Sequence, residues 1–383
     1  MTGEERSTLP KRNWIALVAT LCVALLVGLW FATRNHSQTS SNKVGAILPL
    51  TGPGAPFGES SRNALLLAAE EINAVPEGPR IELLIEDGMT DPRASVTAFN
   101  RLHDARGTRL FITTVSSVSL ALAPLADQRE SLLFANASHP QVTEGRRFAL
   151  RYSNTASDEA RVLLDFVSQH SPASSRLYII ALNDDYGRAY VQELRAAGAR
   201  HSGISIVGEG FYDRAATDFR TVVTKAIAST PDTVILIGFG RSLGLCLRQL
   251  RELGYGGPFV ASLGFILTAD AVMAAGEAIR GGSFLNFTFV SDPGARIFRE
   301  KYRTRYGADP VPNAVIDYGT LYLLAQGLRA VGNEPSKLTS YFRGLGRAHL
   351  PTGDVTISVQ GDIFTPVRVV PVPSTGAISL WGE

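Results

Sequence analysis

The 383 residues predict an α/β fold of two Rossmann-like, doubly wound parallel-sheet lobes, preceded by an N-terminal apolar helix. Three observations carry that expectation. From Lys43 onward, apolar runs of strand length alternate with stretches of helical periodicity, the order that builds a parallel sheet. The runs are near-continuous rather than alternating, as strands covered on both faces require. The order also repeats in two similar blocks, 43 to about 150 and about 157 to 284. With 45% hydrophobic and 19% charged residues, the chain can bury one large core or two medium ones.

The first 42 residues are of another kind. Arg6, Lys11 and Arg12 precede WIALVATLCVALLVGLWFA, residues 14–32, which carries no charge. As a helix it reaches roughly 28 Å, about a hydrocarbon core. Trp30 and Phe31 stand where a cleavage site wants small residues, which favours an uncleaved anchor over a secretory signal peptide. Leu21, immediately before Cys22, argues against a lipid-modified cysteine. Under anchor and signal alike, the basic flank keeps the N-terminal end cytoplasmic and places residues 43–383 in the periplasm or another extracytoplasmic space. RNHSQTSSN, residues 34–42, reads as a polar linker.

The strands then follow in order: 44–50, 81–87, 109–115, 131–137, 176–182, 204–210, 233–239 and 258–263. Helical stretches at 59–73, 92–105, 118–128, 157–170, 187–201, 218–229, 242–254 and 268–276 separate or follow them. Beyond residue 290 come helices at 293–306, 313–331 and 335–344, then strand-like TISV (356–359) and VRVVPV (367–372). These late elements must pack onto lobes already made, so the chain crosses between lobes more than once. The first lobe is expected to hold 43–153 plus about 290–345, and the second 154–289 plus about 346–383. The segment TGDVTISVQGDIFTPVRVV reads as a hairpin turning at Gly361 and Asp362, edging the second lobe.

Composition removes several functions. The 37 Lys+Arg against 35 Asp+Glu leave +2, which gives no reason to invoke nucleic acid. Cys22 and Cys246 alone support neither a disulfide framework nor a multi-cysteine metal site. The histidines at 36, 103, 139, 170, 201 and 349 lack metal-ligand spacing. Ser138 and His139 are adjacent, but no G-x-S-x-G elbow accompanies them, so a hydrolase is not expected. No cofactor is implied. In EDGMTD, the acids lead into Pro92 at a helix start, where the helix dipole favours them.

Ligands of open α/β sheets sit at the carboxyl ends of the strands. The segments there are TGPGAPFGES, SSVS, NASHP, NDDYGR, GFGRS and SLGF. In the first, Gly52, Gly54 and Gly58 depart from a dinucleotide fingerprint, and Pro53 and Pro56 each remove an N–H that a phosphate would need. What remains is a rigid loop presenting Phe57, either to a ligand or to the core. Ser116 and Ser117 stand where a helix begins, a place that binds a carboxylate well. Equally, one of them is simply a helix cap.

The ordered set VGAILPLTGPGAPFGESSRNALLLAAEEIN, EDGMTDPRASVTAFNRL, SSVSLALAPLAD, NDDYGRAYVQEL, TDFRTVVTKAIASTPDTVILIGFG and PFVASLG resembles the type I periplasmic substrate-binding proteins. Within them it is similar to the leucine/isoleucine/valine-binding and amide-sensing branch, over about residues 43–345. The resemblance implies two lobes joined by a multi-strand hinge, with no enzymatic activity and a ligand between the lobes. It also implies site residues: Ser117 and the Ser138–His139 stretch for the ligand's carboxylate or amide end, with Phe57, Tyr186 and Phe239 as aromatic covers. Leu263 stands where branched-chain amino-acid binders place an acid for the ligand's ammonium. Either Asp184, Asp185 or Asp317 supplies that charge, or the ligand is an amide, a urea-like compound or a carboxylate. The implied partners are a small organic ligand and the membrane subunits of an ABC transporter. The alternative is a membrane-anchored ligand sensor or envelope regulator of the same fold, acting through a sensor partner.

Overall fold

The computed structural model describes residues 41–170, 175–267, 269–373, 378 and 380–381. The apolar stretch 14–32 lies outside them. Among the described residues no helix is long and apolar enough to cross a membrane.

The first half of the chain runs β1 (Asn42–Leu48), α1 (Ala55–Ala74), β2 (Ile81–Asp87), α2 (Pro92–Asn100), β3 (Leu110–Thr114), α3 (Ser116–Gln128), β4 (Leu132–Asn136) and β5 (Ala149–Tyr152). A second run follows: α4 (Ala156–His170), β6 (Ser175–Leu182), α5 (Asp185–Gly198), β7 (Ile204–Tyr212), α6 (Arg220–Ala228), β8 (Thr233–Ile237), α7 (Gly240–Glu252), β9 (Phe259–Ala261), α8 (Ala269–Ala275) and β10 (Ser283–Phe287). The chain ends with α9 (Pro293–Tyr306), α10 (Ala314–Val331), α11 (Pro335–Leu345), β11 (Arg347–Leu350), β12 (Gly353–Ile357), β13 (Asp362–Phe364) and β14 (Val367–Pro371).

The strands form two mixed, mainly parallel sheets. One has the order β11-β12-β13-β5-β4-β3-β1-β2, the other β14-β10-β9-β8-β6-β7. The first five strands of each run are parallel throughout. Side chains alternate faces along them. In β1, Val44, Ala46 and Leu48 join the core under α1 and α10, whereas Ile47 joins a smaller cluster with Phe99, Phe111, Val118 and Leu122 beneath α2 and α3. Both faces are therefore apolar, which explains the near-continuous hydrophobic runs.

The tail differs from its expected place. Residues 346–383 were expected to edge the second lobe, but β11, β12 and β13 join the first sheet, and only β14 joins the second. The hairpin is β12 with β13, and β13 runs parallel to β5 in register Ile363 to Tyr152. A long-range ion pair accompanies this pairing. Arg151, 1% exposed, donates to Asp362 Oδ1 at 3.2 Å from Nε and 2.8 Å from Nη2, and Thr143 Oγ1 donates to the same oxygen at 2.7 Å. The chain thus passes between the sheets at 153–155, 288–292 and 365–366. Those passages are laced together: Thr288 donates to the Pro366 carbonyl from its backbone N–H at 2.9 Å and its hydroxyl at 3.1 Å, and Thr365 Oγ1 reaches Asn154 Oδ1 at 3.5 Å.

Candidate ligand-binding site

In both sheets the order reverses at the first strand of the run, between β1 and β3 and between β6 and β8. At such a switch point the connections leave in opposite directions and open a crevice at the strand ends. A cavity of about 80 Å³ lies where the two crevices meet, with walls from both sheets.

The wall after β1 is built by Asp87. Its carboxylate accepts from Leu50 N at 2.9 Å, Thr51 Oγ1 at 2.5 Å and Met89 N at 2.8 Å, pinning the strand end. The expected Gly/Pro loop is largely helix: Gly52–Gly54 makes one tight turn and α1 starts at Ala55. Pro56 fits because an N–H in the first helical turn has no intrahelical acceptor. At Gly58 a Cβ would lie 2.0 Å from the Pro49 carbonyl oxygen, so only glycine lets the helix approach so closely. Phe57 is thereby set in the cavity wall, 8% exposed yet part of neither apolar cluster.

After β3, Val115 adopts φ +73°, a strained value for a β-branched residue. Its N–H is held by the Asn136 carbonyl at 3.1 Å, and α3 begins at the next residue. Ser116 lines the cavity. Ser117 does not: it lines a separate groove with Pro92, Gln141 and Glu144. One residue's advance on a helix turns a side chain by about 100°, and the two hydroxyls part.

After β4, Asn136, Ala137 and Ser138 line the cavity, and His139 does not. The imidazole Nδ1 instead accepts from Gln141 N at 3.3 Å and caps the short turn that follows. Asn136 Nδ2 donates to Asp317 at 3.4 Å, behind the wall. Burial pushes the Asp317 carboxyl up to about 6. Two further donors line the cavity without a partner among the described residues, Thr90 Oγ1 and Asn313 Nδ2, the latter on a residue 3% exposed. A buried donor left unmet costs about 1–3 kcal/mol, so acceptors are what this wall lacks.

The second sheet contributes Tyr186 from the first turn of α5 and Phe239 after β8. Asp184 caps α5 by accepting from Gly187 N at 3.0 Å and pairs with Arg214 at 2.8 Å. The Arg214 guanidinium in turn lies 4.8 Å from the Phe239 ring centre. Leu263 and Gly264 close this side, and a Cβ on Gly264 would fall 2.1 Å from the Gly238 carbonyl oxygen.

The cavity's acid is one that sequence reasoning passed over. Asp184, Asp185 and Asp317 are absent from the cavity wall, and Glu159 is present. It is 1% exposed, accepts from the Tyr190 hydroxyl at 2.8 Å and faces the Leu263 amide. Burial pushes its carboxyl up to about 8. Glu159 sits on an amphipathic helix where an acid ordinarily faces water; only its contact with Tyr190, 31 positions on, marks it. Thr90 and Asn313 gave no local signal either.

A periplasmic binding protein family model matches residues 41–377. The chain belongs to the periplasmic binding protein family. Its resemblance is to the leucine/isoleucine/valine-binding branch of type I periplasmic binding proteins, and membership implies a periplasmic or extracytoplasmic location. This binding protein is 25% identical to a leucine-, isoleucine-, valine-, threonine- and alanine-binding protein of Pseudomonas aeruginosa, over 84% of this chain and 87% of that one. It shares its fold with a leucine binding protein LivK from Thermotoga maritima, at TM-score 0.81 and 24% identity over 88% of this chain and 97% of that one. It likewise matches an ABC-transporter solute binding protein from Rhodopseudomonas palustris in complex with 3,4-dihydroxybenzoic acid, at TM-score 0.77 and 20% identity over 87% of this chain and 93% of that one.

Proposed function

We infer that this protein is the extracytoplasmic solute-binding component of an ABC-type transporter. It captures a small amino-acid-like, amide or carboxylate ligand between two lobes that close on it. One observation carries the reading: strand ends of both sheets converge on a single cavity whose wall combines Ser116, Ser138 and unmet donors with the rings of Phe57, Tyr186 and Phe239. Hydroxyls and the free amides of the α3 N-terminus suit a carboxylate or amide oxygen. The rings suit an apolar body. The laced passages at 153–155, 288–292 and 365–366 serve as the hinge, and the closed arrangement is what membrane subunits recognise. The named ligands of the relatives, amino acids in one and an aromatic acid in another, are small molecules that each carry a carboxylate.

A thermal-shift screen of the full-length protein against amino acids, amides, ureas and aromatic carboxylates tests this. A cognate ligand at a hundred times its Kd adds about 2.7 kcal/mol of stability. No shift with any compound would overturn the reading.

A further inference from the structure

The geometry points to Glu159 as the residue that selects the ligand: its carboxylate pairs with a protonated amine, so the ligand is a zwitterion whose carboxylate lies on Ser116 and Ser138. This deepens the binding role proposed above and rests on it. Among the described residues lining the cavity, Glu159 is the one carboxylate, and none is a lysine, arginine or histidine. The two ends are contributed by different sheets. Ser116 and Ser138 follow β3 and β4 of the first, whereas Glu159, Tyr186 and the Leu263 amide belong to elements around the second. A molecule with an anionic and a cationic end therefore bridges them, and each end is met only when they are together.

Among the described residues, the surroundings of Glu159 contain no protein cation to serve instead. On its own helix stands Asp158; on α5 stand Tyr186 and Tyr190, with Asp184 already paired to Arg214 and Asp185 exposed; the loop at Leu263 offers an amide. Arg368, on the strand β14 that packs along α4, is exposed. A buried carboxylate without a cation keeps its proton at neutral pH. An incoming ammonium reverses that balance. Binding is then an exchange: the ammonium enters charged, Glu159 gives up its proton to solvent, and the ion pair stays. A neutral amine or a simple carboxylate offers no such exchange.

Matched probes test this by isothermal titration of the full-length protein: L-alanine with propanoate, L-leucine with 4-methylpentanoate, and L-phenylalanine with 3-phenylpropanoate. Within a pair only the ammonium differs. The expected result is that at least one amino acid binds about tenfold or more tightly than its partner. Titrations at pH 7 in phosphate and in Tris, whose ionisation enthalpies differ, should report release of nearly one proton per site. Affinity should rise roughly tenfold from pH 6 to pH 7 and level off above about pH 8. Glu159→Gln, nearly isosteric, should abolish both the proton release and the preference for the amine. Preference for the desamino acid, or amino-acid binding without proton release in the unaltered protein, would overturn the role of Glu159 while leaving a ligand-binding cleft. Silence of all six probes in a protein that also fails the wider screen would overturn the cleft itself.

Discussion

Ser116 and Ser117 separate two explanations that neighbouring residues rarely separate. Both stand in the first turn of α3, but only Ser116 lines the cavity. Ser116→Ala should weaken binding of a carboxylate ligand by ~1.5 to 3 kcal/mol, the range for a hydrogen bond to a charged group. Ser117→Ala should leave it unchanged, and calorimetry on the pair of variants decides between them. Glu159 permits a second prediction, on stability without ligand. Its folded-state pKa lies above the ordinary 4.5, at about 8, so the native state holds a proton that the unfolded chain releases. Its share of stability is therefore greatest below about pH 4.5 and is lost progressively up to about pH 8. Glu159→Gln should flatten that part of the curve, giving a Tm that falls less between pH 5 and pH 8 than in the unaltered protein. Five of the seven residues expected at the site, Phe57, Ser116, Ser138, Tyr186 and Phe239, come together in the cavity wall. Each lies just past a strand end, and strand ends are legible from the apolar runs. Glu159, Thr90 and Asn313 were not legible, because what brings them inward is contact with distant elements.

Elements were readable wherever local pattern sets them and unreadable where a partner does. The helices α9, α10 and α11 fall within a residue of their expected limits, since periodicity, Pro293 and Pro335 at their starts and Gly307 and Gly332 at two of their ends are local signals. The strand β5 carries a buried arginine in a run of four, and β13 has three residues. Neither looks like a strand alone. They are strands through pairing with each other and with β4 and β12, the Arg151–Asp362 pair lies across that junction, and β11 to β13 thereby extend the first sheet. Arg151→Ala strands the Asp362 carboxylate and should cost about 3–5 kcal/mol, read by denaturant titration. Gly58→Ala tests a different joint. A Cβ there meets the Pro49 carbonyl at 2.0 Å, so α1 must withdraw from β1. We expect a destabilisation of about 1–3 kcal/mol, as for overpacking elsewhere, together with weaker ligand binding as Phe57 moves with the helix.

At the scale of the whole molecule, the described chain from Asn42 onward forms one compact unit, although its strands belong to two sheets. Helices α3 and α5, which flank the cavity from opposite sheets, touch one another. We propose that this is the closed arrangement of the cleft. Among the described residues, its cavity nevertheless holds two donors without a partner, groups that water would satisfy if the sheets parted, and the acid Glu159, whose charged form burial disfavours. On the proposed function, those groups favour opening without ligand, and with ligand they are met and closure wins, as a shift in population requires. In that reading the three passages between the sheets allow the motion and limit it. The bonds from Thr288 to Pro366 and from Thr365 to Asn154 hold them side by side, so the proposed motion is a rotation about a common line rather than a drifting apart. Small-angle scattering should accordingly show a smaller radius of gyration at saturating ligand than without it. Thr288→Val keeps the backbone bond to Pro366 and removes the hydroxyl's, so it should leave the cavity intact and loosen only the hinge. Its ligand-free scattering should broaden toward more open forms while its ligand-bound profile matches that of the unaltered protein. A radius of gyration unchanged by ligand in both proteins would show that closure is not how this cleft reports its occupant.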